Sequence, residues 1–155
     1  MPDSLITRFL LTIFLALLLA GCNQLGVKKE DELKKPDLLL VQEQADEAYK
    51  NNDLAKSEEH YLTLVKALPD IPLHWFRLAN IYVRTNRPEA AIGLYREAVL
   101  RDPKYAKAWF NLSIVQLKQS AYSLNEMLLY TDKKDPMYEK AKKLFDGIQT
   151  IIQEN

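Results

Sequence analysis

Residues 72–105 read PLHWFRLANIYVRTNRPEAAIGLYREAVLRDPKY, two helix-compatible stretches split by the turn residues Asn86-Arg87-Pro88. Shifting the chain by 34 residues brings Ala45 onto Ala79, Tyr61 onto Tyr95, Pro69 onto Pro103, Trp75 onto Trp109 and Leu78 onto Leu112. Self-similarity at such a period marks a unit that cannot bury its apolar face alone and so stacks on copies of itself. The residue types have packing reasons. Ala79, Ala91 and Ala98 allow two helices to approach closely, while Trp75, Leu78, Tyr82 and Tyr95 fill the wedge between hairpins. Pro103 follows the second helix and stops it.

Trp75, Leu78, Ala79, Tyr82, Ala91, Tyr95, Ala98 and Pro103 agree in one frame with the tetratricopeptide repeat, which this stretch resembles. The resemblance implies an all-α solenoid of three helical hairpins, with repeats at 38–71, 72–105 and 106–153. The first is worn: Ala45, Ser57, Tyr61, Leu64 and Pro69 hold their places, but Val41 and Gln44 stand where Trp and Leu are usual. Asn51-Asn52-Asp53 supplies its interhelical turn.

In the third repeat the frame fails at Gln116 and Asn125, and a second-helix spacing returns only at Tyr138, Ala141, Phe145 and Ile148. The earlier register puts that Tyr at position 122, so 138 − 122 gives an insertion of 16 residues. The simplest reading is one long helix from about Lys104 to Tyr130, a turn at Thr131–Pro136, and a return helix from Pro136 to about Gln153. A short separate helix over Ser123–Tyr130 is the alternative.

Working back to the N-terminus, Phe9–Leu19 is apolar except for Thr12, and it ends in Leu19-Ala20-Gly21-Cys22. Such a run is too short to span a bilayer and suits a signal-peptide core. Its end resembles the bacterial lipobox. That resemblance implies a signal peptide over 1–21 and lipidation of Cys22 with three acyl chains, a firm membrane anchor. Asn23 after the cysteine, rather than Asp, favours by resemblance the periplasmic face of the outer membrane. Residues 22–36 are polar and charged and read as a tether, leaving 37–155 for the repeat domain.

Composition narrows the function. The chain has 155 residues, 48% of them hydrophobic, with 21 basic against 21 acidic side chains. That balance creates no global field for nucleic acid to follow. The single cysteine excludes an intramolecular disulfide. His60 and His74 lack metal-ligand spacing and read as surface or boundary residues. Ser57, Ser113 and Ser120 have no His–Asp companions, the four glycines form no phosphate loop, and Glu58-Glu59 reads as a solvated helix face. No enzyme, cofactor, metal or small-molecule substrate is expected, which leaves a protein or peptide partner.

The family resemblance places that partner in a groove lined by the first helices. The groove positions carried over are Leu39, Gln42, Asp46, Tyr49 and Lys50; Leu73, Phe76, Asn80, Val83 and Arg84; and Lys107, Phe110, Ile114, Leu117 and Lys118. Phe76 and Phe110 are expected side by side and partly exposed, on an apolar floor extended by Val83, Ile114 and Leu117. Lys50, Arg84 and Lys118, each 34 apart, form a basic edge. An apolar floor with a basic edge suits an amphipathic or acidic peptide. A carboxylate-clamp likeness is partial: Asn80, Lys107 and Asn111 are suitably placed, but Phe76 stands where the clamp uses Lys. The expected roles are a pilotin-like assembly factor for a type IV or tight-adherence pilus or secretion system, a recruiter of cell-wall hydrolases, or a self-associating structural lipoprotein.

Overall fold

The chain divides after Pro36, and the computed structural model describes residues 37–154. Cys22, the signal peptide and the tether lie outside the described residues. The described part consists of α1 (Leu38–Lys50), α2 (Leu54–Ala67), α3 (Pro72–Arg84), α4 (Pro88–Arg101), α5 (Ala106–Tyr130) and α6 (Pro136–Gln153). Among these residues no helix is long and apolar enough to cross a membrane.

Local chemistry sets the helix ends. The Asp37 carboxylate caps α1 by accepting from the Leu39 and Leu40 amides, and Asp53 caps α2 by accepting from Lys56. Proline opens α3, α4 and α6, where its missing N–H would have had no helical partner. Asn52 and Asn86, 34 apart, take positive φ (61° and 58°) and turn the chain within the first two hairpins. Asparagine tolerates that left-handed region better than most side chains. Gly93 in α4 and Gly147 in α6 are exposed and have open space where a Cβ would stand. Gly93→Ala and Gly147→Ala should each raise stability by about 0.5–1 kcal/mol, by removing backbone freedom from the unfolded chain; urea unfolding midpoints read the gain.

Two layers of core join the hairpins. Ala45, Tyr61, Leu64, Val65, Leu78 and Ile81 form the first, and Ala79, Ala91, Tyr95, Ala98, Ala108, Leu112 and Val115 are central to the second. Trp75, Tyr82 and Leu94 pack against both, so the layers share a seam. Ala45, Ala79, Ala91, Ala98 and Ala108 are all 0% exposed, which is where helix axes come closest. Outside the core, Arg87 clamps Glu58 with two bonds of 2.7 and 2.5 Å and lies over the Tyr82 ring. Glu58 is therefore a link between hairpins rather than a solvated face, and the Arg87 hydrogen bonds hold its carboxyl below the usual range.

The tryptophans have a role the repeat pattern does not show. Trp75 Nε1 donates to the Pro69 carbonyl at 2.7 Å, and Trp109 Nε1 donates to the Pro103 carbonyl at 3.0 Å. Each indole thus fastens the loop that leads into its own helix. Trp75 also packs against both core layers, whereas Trp109 is 48% exposed.

His74 is also buried, at 4% exposure, with Nε2 2.6 Å from Gln42 Oε1. This corrects the surface or boundary expectation: α3 packs this position onto the first hairpin. Burial lowers the imidazole pKa below its ordinary 6.5, although the nearby Asp46 charge pulls the other way. The unfolded ring takes up its proton near pH 6.5 while the folded ring resists. Stability from this site is therefore complete above that pH and falls as the pH drops through it. Urea midpoints measured from pH 7.5 to 5 should decline, and His74→Gln should flatten that decline.

The last hairpin departs from the repeat. The long reading holds: α5 runs unbroken for 25 residues and α6 returns over 18. However, α6 does not sit where a second helix belongs. In α3 the stripe Trp75, Ala79, Tyr82 is covered, whereas the equivalent Trp109, Ser113 and Gln116 in α5 are all exposed. The cleft between α5 and α6 is instead lined by Lys118, Ala121 and Asn125 on one side and Phe145, Gln149 and Ile152 on the other. Composition explains the shift. Ser113, Ser120 and Ser123 fold their hydroxyls back onto carbonyls four residues earlier, so that stripe offers a second helix little apolar surface. It forms the polar outer face that ends a solenoid.

Candidate functional site

The first helices of the three pairs share an open depression of about 440 Å³. Tyr49 comes from α1; Asn80, Val83 and Arg84 from α3; Phe110, Asn111, Ile114, Val115 and Lys118 from α5. The Tyr95 edge and Ile152, near the end of α6, complete it. Of the residues expected in a groove, the structure gathers Tyr49, Asn80, Val83, Arg84, Phe110, Ile114 and Lys118 here.

Others lie elsewhere. Phe76 is buried, at 7% exposure, with ring centroids 6.0 Å from Tyr95 and 5.0 Å from Tyr105. The chain entering α5 lays Tyr105 over it. Among the described residues nothing comparable lies over Phe110, which stays 53% exposed. The two rings are equivalent by repeat but not in environment, so Phe76 belongs to the core. Lys50 lies beside Glu43, Asp46 and Glu47 in a separate shallow depression. Lys107 is exposed near the start of α5 and Leu117 is half-buried, both outside the groove lining. The basic edge therefore reduces to Arg84 and Lys118. Arg84 is held by a hydrogen bond to Asn52 Oδ1, with its guanidinium 5.3 Å from the Tyr49 ring centroid.

One hydrogen-bond device repeats along the first helices, and its second copy lies in the groove. Tyr61 OH donates to Asp46 Oδ1 at 2.5 Å, and Tyr95 OH donates to Asn80 Oδ1 at 2.6 Å. Burial would raise the Asp46 pKa, but the bonds from Tyr61 and Gln42 and the Arg77 and Lys50 charges outweigh it and leave it lowered. Burial pushes the Tyr95 hydroxyl up to about 12, against the lowering effect of its bond with Asn111; it stays a neutral donor. In the third repeat the equivalent of Asn80 is Ile114, and the device gives way to apolar surface.

Asn111 Nδ2 also donates to Asn80 Oδ1, at 2.9 Å. Both oxygen lone pairs of Asn80 are then engaged, which leaves its NH2 as a donor and the Asn111 oxygen as an acceptor. A donor beside an acceptor is what a peptide group of an extended chain can pair with. Phe110 and Ile114 adjoin them as apolar contacts, and Lys118 and Arg84 as cations. Reading the repeat positions did not identify Tyr95, Val115 or Ile152 as groove residues. The first two hold core positions and show the groove only an edge, and Ile152 arrives through the insertion.

Comparison with known proteins agrees with this architecture. The family described as tetratricopeptide repeat matches residues 43–105 and 76–136. The fold is similar to that of the TPR2B domain of yeast Sti1, solved in a complex with pHsp70, with a TM-score of 0.52 at 17% identity, covering 73% of this chain and 96% of that one. The curated proteins contain no match. With the matched stretches together spanning 43–136 and the three stacked helix pairs in view, the chain belongs to the tetratricopeptide-repeat family.

Proposed function

We propose that the protein is a membrane-tethered adaptor that holds an extended, acidic and partly apolar segment of a partner protein in the groove between α3 and α5. The observation that carries this reading is Phe110: a large ring left 53% exposed beside oriented amides and two cations. Phe110 is continuous with Ile114 and Val83, and an apolar patch rimmed by polar groups is a recurrent mark of a binding surface. The pHsp70 complex in which the yeast neighbour was solved is in keeping with a protein or peptide ligand. The adaptor acts by holding a partner rather than by catalysis.

The tether in this proposal is Cys22, lipidated and placed at the periplasmic face of the outer membrane. The setting that suits these parts is pilotin-like assembly of a pilus or secretion machine, in which an arriving subunit is retained by a short segment. Recruitment of a cell-wall hydrolase would use the same groove. A photoreactive phenylalanine analogue at position 110 tests the binding face in native membranes. It should capture a protein that the same analogue at Ser113, on the polar outer stripe, does not. Equal capture from both positions would remove the groove from the proposal. For the anchor, Cys22→Ser should abolish palmitate labelling and leave the chain unprocessed or loosely held; unchanged labelling and precursor mass would remove it.

A further inference from the structure

The insertion in the third repeat builds a cleft that a regular repeat lacks. Because α5 has 25 residues and α3 has 13, α5 overshoots the Asn86–Pro88 turn and leaves its flank facing that turn. The cleft between them measures about 740 Å³. It shares Val83, Val115 and Lys118 with the groove, so the two are continuous, with Lys118 at the junction. On its far side stand Pro88, Ser123 and Tyr122, whose ring is 67% exposed. Several of its polar groups are already engaged. Gln119 Nε2 donates to Glu89 Oε1 at 2.9 Å, and Ser123 Oγ donates to the Gln119 carbonyl at 3.2 Å. What the cleft offers a ligand is the apolar surface of Val83, Pro88 and Tyr122, beside the polar Asn86 and Glu89 of the turn.

We propose that this cleft is a second subsite for the same partner segment, one that selects an aliphatic residue or proline on the far side of an acidic residue paired with Lys118. The inference rests on the groove reading above. It makes the recognised segment apolar–acidic–apolar: one apolar side chain on Phe110 and Ile114, an acid at Lys118, and a second apolar residue against Tyr122 and Pro88. A volume larger than the groove's 440 Å³ admits that residue with its flanking backbone. A neighbouring cleft between α5 and α6 also reaches Tyr122 and Lys118, but it shares less of its lining with the groove.

The test uses random 16-residue peptides displayed on phage, selected against the full chain held in detergent, followed by binding of the synthetic consensus peptide. Ser123→Trp fills the α5–turn cleft from an exposed position, and Gln149→Trp fills the α5–α6 cleft. The expected result is an apolar–acidic–apolar consensus. Ser123→Trp should erase its second apolar preference and weaken the peptide at least tenfold, while Gln149→Trp changes neither. Far-ultraviolet dichroism verifies that both variants keep the parent helix content. An unchanged consensus and affinity in Ser123→Trp, or the same loss in Gln149→Trp, overturns the second subsite and leaves the groove standing. If the parent chain enriches no peptide, or Phe110→Ala selects the parent consensus with equal affinity, the groove reading fails and the cleft proposal fails with it.

Discussion

Tyr95→Ala should cost about 3–5 kcal/mol of folding stability, the usual loss when a buried aromatic ring is cut back to a methyl group. The ring is 2% exposed and packs among Ala79, Ala91 and Phe76 in the second core layer. It meets small residues chosen for close approach, so neighbouring side chains cannot easily collapse into the void. Tyr95→Phe separates the ring from its hydroxyl. It keeps the packing and removes the bond to Asn80 and the longer one from Asn111, for about 1 kcal/mol. Urea unfolding of the three proteins gives both differences. Similar losses in Ala and Phe variants would mean that the hydroxyl, and not the packing, dominates this site.

Phe76 and Phe110 should behave oppositely despite their equivalence. Phe76→Ala removes a buried ring from between Tyr95 and Tyr105 and should cost about 3–5 kcal/mol of stability. Phe110→Ala trims an exposed ring and should shift stability by less than about 0.5 kcal/mol. Its effect should fall on binding, with a loss of at least about 2 kcal/mol if the ring is an anchor. Unfolding midpoints and the dissociation constant of a captured partner segment measure the two effects independently. A Phe110→Ala variant that binds like the parent would remove the ring as an anchor, whatever its stability.

That pair also shows where a repeat is readable in the chain and where it is not. The 34-residue spacing reveals the hairpins because Ala45, Ala79, Tyr61 and Tyr95 each serve a contact inside their own repeat. Both Asn turns and the return helix from Pro136 are equally local, and their boundaries follow from caps and prolines. Phe76 and Phe110 differ because their exposure depends on what packs over them: Tyr105 covers one, and among the described residues no equivalent ring covers the other. Trp109 lies open because its repeat lacks a second helix at the regular place. Ser113 and Gln116, where α3 has Ala79 and Tyr82, do mark the absence of a packed neighbour on that stripe. Which face α6 takes instead is a tertiary choice, made by Ala121, Ala141 and Ile148, all of which are buried. The groove is accordingly legible only in part along α3 and α5, and hidden where Ile152 joins it.

The indole fastenings give the molecule a pair of internal light sources. The chain has two tryptophans, and each is hydrogen-bonded to the loop entering its own helix, at Pro69 or Pro103. The Trp75 ring lies under the Arg101 guanidinium, 4.4 Å from centroid to carbon, while Trp109 is half open to water. Their emission colours should differ, the shielded indole bluer and the open one redder. With Trp75→Phe and Trp109→Phe as single-emitter versions, fluorescence can follow the joint between the first two hairpins separately from the joint leading into α5. A bound segment that tightens only one joint would change one colour and leave the other in place.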